Sequence, residues 1–172
     1  MDTFWALIEQ ARADANTCCD VVANATAQLT SRPAAEIVAT HQALWRLMDA
    51  SYLHPLWAAA HVIRGGCSDD SFDYFRAYLL TQGRHVFESA VADPDSLADL
   101  PLLPDEYGGT GVCEDMLSVA WDAHRAVTGA DLPDEAWERR ERLPLDPSWD
   151  FDFEDAAEMR RRLPRLSAIH LD

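Results

Sequence analysis

Apolar residues recur at helical spacing through most of this chain, and the spacing breaks only where Pro and Gly cluster. Phe4, Leu7, Ile8 and Ala11 share one side of a first amphipathic helix, with Trp5 at the edge of the stripe. A second helix is predicted over residues 18–29, with Thr17 as its cap and Asp20 set to favour the positive N-terminal end of the dipole. Ser31, Arg32 and Pro33 restart the chain, because Pro is tolerated at a first helical position. Ile37, His41, Leu44, Trp45 and Met48 then fall on one buried side. Residues 52–55 interrupt, and 56–63 form a fourth helix that is apolar almost all round, as suits an element packed on several sides.

Gly65-Gly66 ends that helix, Gly being the residue that takes a left-handed cap without steric penalty. Ser68 is an N-cap for a fifth helix carrying Phe72, Phe75, Tyr78 and Leu79, and Gly83 separates a sixth around Val86, Phe87 and Val91. Residues 93–111 hold three Pro and three of the seven Gly, which predicts a long loop or a short helix flanked by loops. Leu117, Ala120, Trp121 and His124 share a side of a helix over 112–128 that Gly129 ends, and a last helix is predicted near 153–163. No hairpin signal and no alternating run argue for a strand. The expected class is all-α: a compact domain of about seven helices, its core in residues 1–129, with an irregular acidic, aromatic-containing extension over 130–172 packed on or beside it.

With 172 residues the chain is long enough for one real core, and 48% apolar residues with six Trp argue against global disorder. The charge narrows the partners. The formal net charge is −16, and it is uneven: residues 1–92 carry 10 acids and six Arg, residues 93–172 carry 20 acids and eight Arg. A field of this sign repels nucleic acid and anionic lipid, and suits a basic protein partner. All 14 basic residues are Arg. The absence of Lys excludes a phosphate-binding loop of the G-x-x-x-x-G-K-[ST] type, a pyridoxal Schiff base and a catalytic amine, and no cofactor is expected. Cys18, Cys19, Cys67 and Cys113 form no C-x-x-C pair, so neither a disulfide framework nor a zinc ribbon is indicated. With no signal-peptide pattern and no apolar run near the roughly 18 residues of a membrane span, the expected setting is the reducing bacterial cytoplasm.

The stretch LWAAAHVIRGGCSDDSFDYFRAYLLTQGRHVFESAVADPDSL and the opening Phe4-Trp5-Ala6-Leu7-Ile8 resemble bacterial proteins catalogued as domain of unknown function 4240. The resemblance covers roughly residues 2–129, and the run from Arg160 to Leu166 is similar to the ending of longer relatives. It implies an intracellular helical domain in an accessory role, with no assigned activity to carry over. The chain departs from the pattern at Arg32-Pro33, where Ser-Pro or Thr-Pro is usual, and in the acidic segment after residue 129.

Candidate chemistry gathers at the helix start after Gly65-Gly66. Cys67, Ser68, Asp69 and Asp70 sit where backbone N–H groups are free and a thiolate is stabilised, which makes this the most enzyme-like feature. The same carboxylates also satisfy the first turn with no chemistry attached, and would repel a Cys67 thiolate. Arg76 is spaced to pair with Asp73 and Asp69, and Arg84 with His85 would complete a polar pocket beside Asp69 or Asp70. An enzyme built there would use a carboxylate as acid or base. His54 and His61 share a helix face with Trp57 between them, but seven residues span about 10 Å, too far for one ion, so no metal site is expected. Gly108-Gly109-Thr110-Gly111 has the local form of an anion nest, opposed by Glu106, Glu114 and Asp115. Trp149, Phe151 and Phe153, interleaved with Asp150, Asp152 and Glu154, form the one segment that reads as an exposed aromatic-acidic recognition surface.

Overall fold

A computed structural model describes residues 1–105, 108–137 and 144–171. Among these residues the fold is all-α, with no strand. The helices are α1 (Asp2–Arg12), α2 (Cys18–Leu29), α3 (Ala34–Ala50), α4 (His54–Arg64), α5 (Asp69–Thr81), α6 (Arg84–Ala92), α7 (Val119–Thr128), α8 (Ala156–Arg162) and α9 (Pro164–His170). Glu106, expected beside the glycine loop, and residues 138–143 of the C-terminal extension lie outside the described residues.

The caps expected from sequence form. The Thr17 hydroxyl accepts from the Asp20 N–H at 3.2 Å and the Asp20 carboxylate accepts from the Thr17 N–H at 2.9 Å, a reciprocal box at the start of α2. Backbone N–H groups of Asn16 and Thr17 hold the Asp20 carboxyl below its ordinary range. Gly65, at φ 64°, closes α4 in the left-handed conformation. α4 begins at His54 rather than residue 56, since Pro55 is accommodated in the first turn, where its missing N–H would have no helical partner anyway.

α5 is the centre of the molecule. It packs against α1, α2, α3, α4, α6 and a 3-10 turn at Glu114–Leu117. Phe72 and every residue from Phe75 to Gln82 are buried, Arg76 included. Its C-terminal end holds the extended chain that follows α6: the Tyr78 hydroxyl donates to the Leu103 carbonyl at 2.6 Å, and the Leu103 N–H donates to Gln82 Oε1 at 2.7 Å. Burial pushes the Tyr78 phenol well up from its ordinary value, so the hydroxyl remains a donor.

Two expected helices divide. The stretch predicted as one helix over 112–128 is the 3-10 turn followed by α7, because the Cys113 N–H is drawn to the Tyr74 carbonyl of α5 at 3.3 Å and the turn packs on that helix. The helix predicted near 153–163 is α8 followed by α9. Pro164 has no N–H to continue the ladder and moves Leu163 out of helical geometry, to φ −127° and ψ 62°.

The Asp93-Pro94-Asp95-Ser96-Leu97 run forms a 3-10 turn (Pro94–Ala98). The buried Asp95 carboxylate accepts the Arg165 and Leu166 N–H groups at 3.1 and 2.9 Å and so caps α9 from 70 residues away. The Arg165 guanidinium reaches Asp93, Asp95 and Asp99 together. Met159, Leu163 and Leu166 are buried in the same apolar cluster as α1–α7, so the C-terminal helices share the main core.

Candidate functional site

The residues grouped by sequence at the α5 start are dispersed by the fold. Asp69 and Asp70 are exposed in the first turn, where Ser68 caps the helix by accepting from the Ser71 N–H at 3.3 Å. Arg76 turns the other way, into the interior at 1% exposure. Its guanidinium donates to the Met48 carbonyl and to Asp73, and lies over the rings of Tyr52 and Phe72 at 5.1 and 4.8 Å. The pairing with Asp73 forms as its spacing suggests, with the Arg76 end buried and the Asp73 end partly exposed.

Arg84 and His85 are exposed at the α1–α6 junction. Arg84 pairs with Glu88 at 2.7 Å and Asp2 at 3.0 Å, and its N–H donates to Glu9, so its partners are the acids of α1 and α6. Cys67 is half-buried, and its carbonyl accepts the Trp57 indole N–H at 3.0 Å. Burial pushes the Cys67 thiol up to about 11; the Arg64 charge lowers it and Asp69 raises it further. A thiol in that range is a poor nucleophile at neutral pH.

The glycine loop has a different occupant from an external anion. The buried Asp105 carboxylate accepts the Gly109 N–H at 2.9 Å, and the Asp105 N–H donates back to the Gly109 carbonyl at 2.8 Å. Gly111, at φ 100°, lies so close to Phe75 that a Cβ would stand 2.8 Å from its ring. These glycines serve packing and a local carboxylate.

The aromatic-acidic segment is where side chains converge. Trp149, Phe151 and Phe153 are half-buried, not fully exposed, because they fold back onto α4 and, with His54, Trp57 and Asp150, line a cleft of about 250 Å³. The Phe153 ring meets both histidines edge-on, His54 at 6.4 Å and His61 at 5.7 Å. His54 Nδ1 is 2.6 Å from the Asp146 carbonyl, and His61 Nε2 is 3.1 Å from Glu154. The two histidines thus fasten the segment at both ends. Their shared face at seven-residue spacing was visible in the sequence; what they hold was not.

Behind the cleft, Trp57 stacks on Phe72 at 4.8 Å with planes 13° apart, and Phe72 carries the Arg76 guanidinium on its ring. In front, the Arg162 guanidinium lies 4.7 Å from the Trp149 ring centre and 4.8 Å from that of Phe151, and pairs with Glu158 at 2.6 Å. Asp150, Asp152 and Glu154 stay exposed between the half-buried rings. The result is an aromatic wall with Asp150 in its lining, whose Trp149 and Phe151 rings carry the Arg162 guanidinium as a cation held against aromatic faces. Among the described residues no cluster of His, Cys, Asp and Glu has the form of a metal site, and no helix is long and apolar enough to cross a membrane.

Fold and cleft together define an all-α domain with an acidic, aromatic surface cleft. The chain belongs to the family described as protein of unknown function (DUF4240), whose model matches residues 1–126. Neither the curated proteins nor the solved structures give a match to it. The family match ends before the cleft's aromatic segment, so Trp149, Phe151 and Phe153 lie outside the matched residues.

Proposed function

We propose that this protein is an accessory interaction module of the bacterial cytoplasm that docks a basic protein partner on the aromatic-acidic face formed by residues 146–154 over α4. The observation that carries this reading is the alternation, along one segment, of half-buried Trp149, Phe151 and Phe153, which line a cleft, with exposed Asp150, Asp152 and Glu154. Aromatic area supplies contact at low cost in side-chain entropy, and the carboxylates select a cationic partner and speed its encounter. The net charge of −16 acts in the same direction and disfavours nucleic acid and anionic lipid.

A reaction site at the α5 start gains no support from the exposed Asp69 and Asp70, the inward Arg76 or the separately paired Arg84. The test uses the full chain as bait and reverses two exposed charges, Asp150→Arg with Asp152→Arg, which leaves the core rings in place. A basic protein captured by the wild type should be lost with the double variant and in high salt. Equal capture by the double variant would remove the reading.

A further inference from the structure

A second cleft, larger than the first and remote from it in sequence, lies where α3, the Glu114–Leu117 turn and α7 meet. It encloses about 340 Å³. Its walls are aromatic: His41 from α3, Trp121 from α7, and Trp137, which follows a 3-10 turn at Asp134–Ala136. The His41 and Trp137 rings meet edge-to-face with centres 4.5 Å apart. Trp137 is 55% exposed, a large apolar side chain left in solvent at the mouth of a cavity. It is nonetheless fixed in place, because Leu132 and Ala136 are buried beside it and the Gln42 amide donates to the Glu135 carbonyl at 2.8 Å.

The polar part of the lining is anionic. Glu114 and Asp115 are exposed lining residues, and Ser118, whose hydroxyl donates to the Asp122 carboxylate at 2.6 Å, lines the cleft beside them. The nearby Glu114 carboxylate raises the pKa of the Tyr74 phenol. Among the described residues, the Arg125 guanidinium lies 4.9 Å from the Trp121 ring centre and is paired with Asp131 at 3.2 Å.

A cavity with aromatic walls and a carboxylate rim excludes an anion by charge and would leave an apolar ligand against desolvated acids. It matches a flat cation that stacks on indole while its N–H groups reach the carboxylates. Among the described residues the chain builds that combination for its own side chains at Arg76 with Tyr52, Phe72 and Asp73, at Arg162 with Trp149, Phe151 and Glu158, and at Arg125 with Trp121 and Asp131. Guanidinium suits it better than ammonium, being planar, more weakly hydrated and able to bond a carboxylate in bidentate fashion.

We infer that the cleft between His41, Trp121 and Trp137 receives an arginine side chain of the basic partner, with Glu114 and Asp115 as its counter-charges. This rests on the basic-partner reading above and adds a second, side-chain-specific contact to it. A second copy of this chain is a poor source of the arginine, since two bodies of charge −16 repel.

The experiment is a calorimetric titration of the full chain, in low salt, with an acetylated heptapeptide alternating Gly and three Arg, and with the same peptide carrying citrulline, which keeps the shape and removes the charge. The Arg peptide should bind and the citrulline peptide should bind at least tenfold more weakly. Trp137→Ala and Asp115→Asn should each weaken the Arg peptide by about three- to tenfold, and circular dichroism should show both variants folded, because both side chains are exposed. Equal affinity for the two peptides, or unchanged affinity in both variants, overturns the inference. If only Asp150→Arg with Asp152→Arg weakens the peptide, the first cleft stands and this one falls. If the wild type binds neither peptide, both readings fall together.

Discussion

At the scale of single residues, the side chain whose placement departs most from its sequence reading is Arg76. Its spacing from Asp73 suggested a solvated pair, and the pair exists. What the spacing could not convey is that α5 is buried at every residue from Phe75 to its end, so a charge at position 76 must be matched as it leaves solvent. The Met48 carbonyl, Asp73 and two ring faces do this. Removing the guanidinium would leave a desolvated carbonyl and a cavity behind Phe72, and Arg76→Ala should cost about 3 kcal/mol, read as a shift in the urea midpoint. Lys at this position should recover little of that, because it cannot lie flat between the rings. Cys67 makes the opposite lesson, since its site at a helix start suggested activation, whereas burial lifts its thiol to about 11. Alkylation of Cys67 by iodoacetamide at pH 7.5 should therefore run roughly two orders of magnitude slower than that of a free thiol of ordinary pKa. The rate should climb about tenfold per pH unit up to about pH 10, as followed by mass spectrometry of the peptide containing it; a plateau near pH 8 would contradict the burial.

At the scale of elements, the helices of the first 92 residues were legible because each carries its own start and stop signals: the Thr17–Asp20 box, Pro33, Gly65 and Ser68. The C-terminal helices were only half legible, because the groups that end and cap them come from elsewhere. Pro164 marks the break between α8 and α9 in the sequence itself, yet the cap of α9 is Asp95, whose role is invisible without its distant partner. The Asp-Pro-Asp run could be recognised as a pattern, but its purpose is a docking contact. Asp95→Ala should leave two buried N–H groups unmatched and cost about 2 kcal/mol. Hydrogen exchange should speed up in α9 and in the Pro94–Ala98 turn well before α1 or α2 responds. Uniform acceleration across all helices would mean instead that α9 unfolds only with the whole protein. The candidate clefts follow the same rule: Trp149 to Phe153 could be singled out by composition, whereas the cavity at His41, Trp121 and Trp137 joins three stretches that no local pattern connects.

For the molecule as a whole, the charge of −16 has two consequences of opposite sign with salt. Intramolecularly it is a strain: 30 acids face 14 Arg, and even the tightest knot gathers three carboxylates on the single Arg165. Screening relieves repulsion among the surplus acids, while most exposed ion pairs contribute too little for their weakening to offset that gain. Raising sodium chloride from about 20 to about 300 mM shortens the Debye length from roughly 20 to below 10 Å, and should raise the melting temperature by about 2–5 °C. Between molecules the same screening removes attraction, so affinity for an Arg-containing peptide should fall over that range. A pure apolar interface would show no such loss, and a protein whose acids were all locally paired would show no thermal gain. Measuring both on one sample therefore separates the strain that the charge puts on the fold from its role in recognition: only a field that acts on a partner makes the two curves diverge.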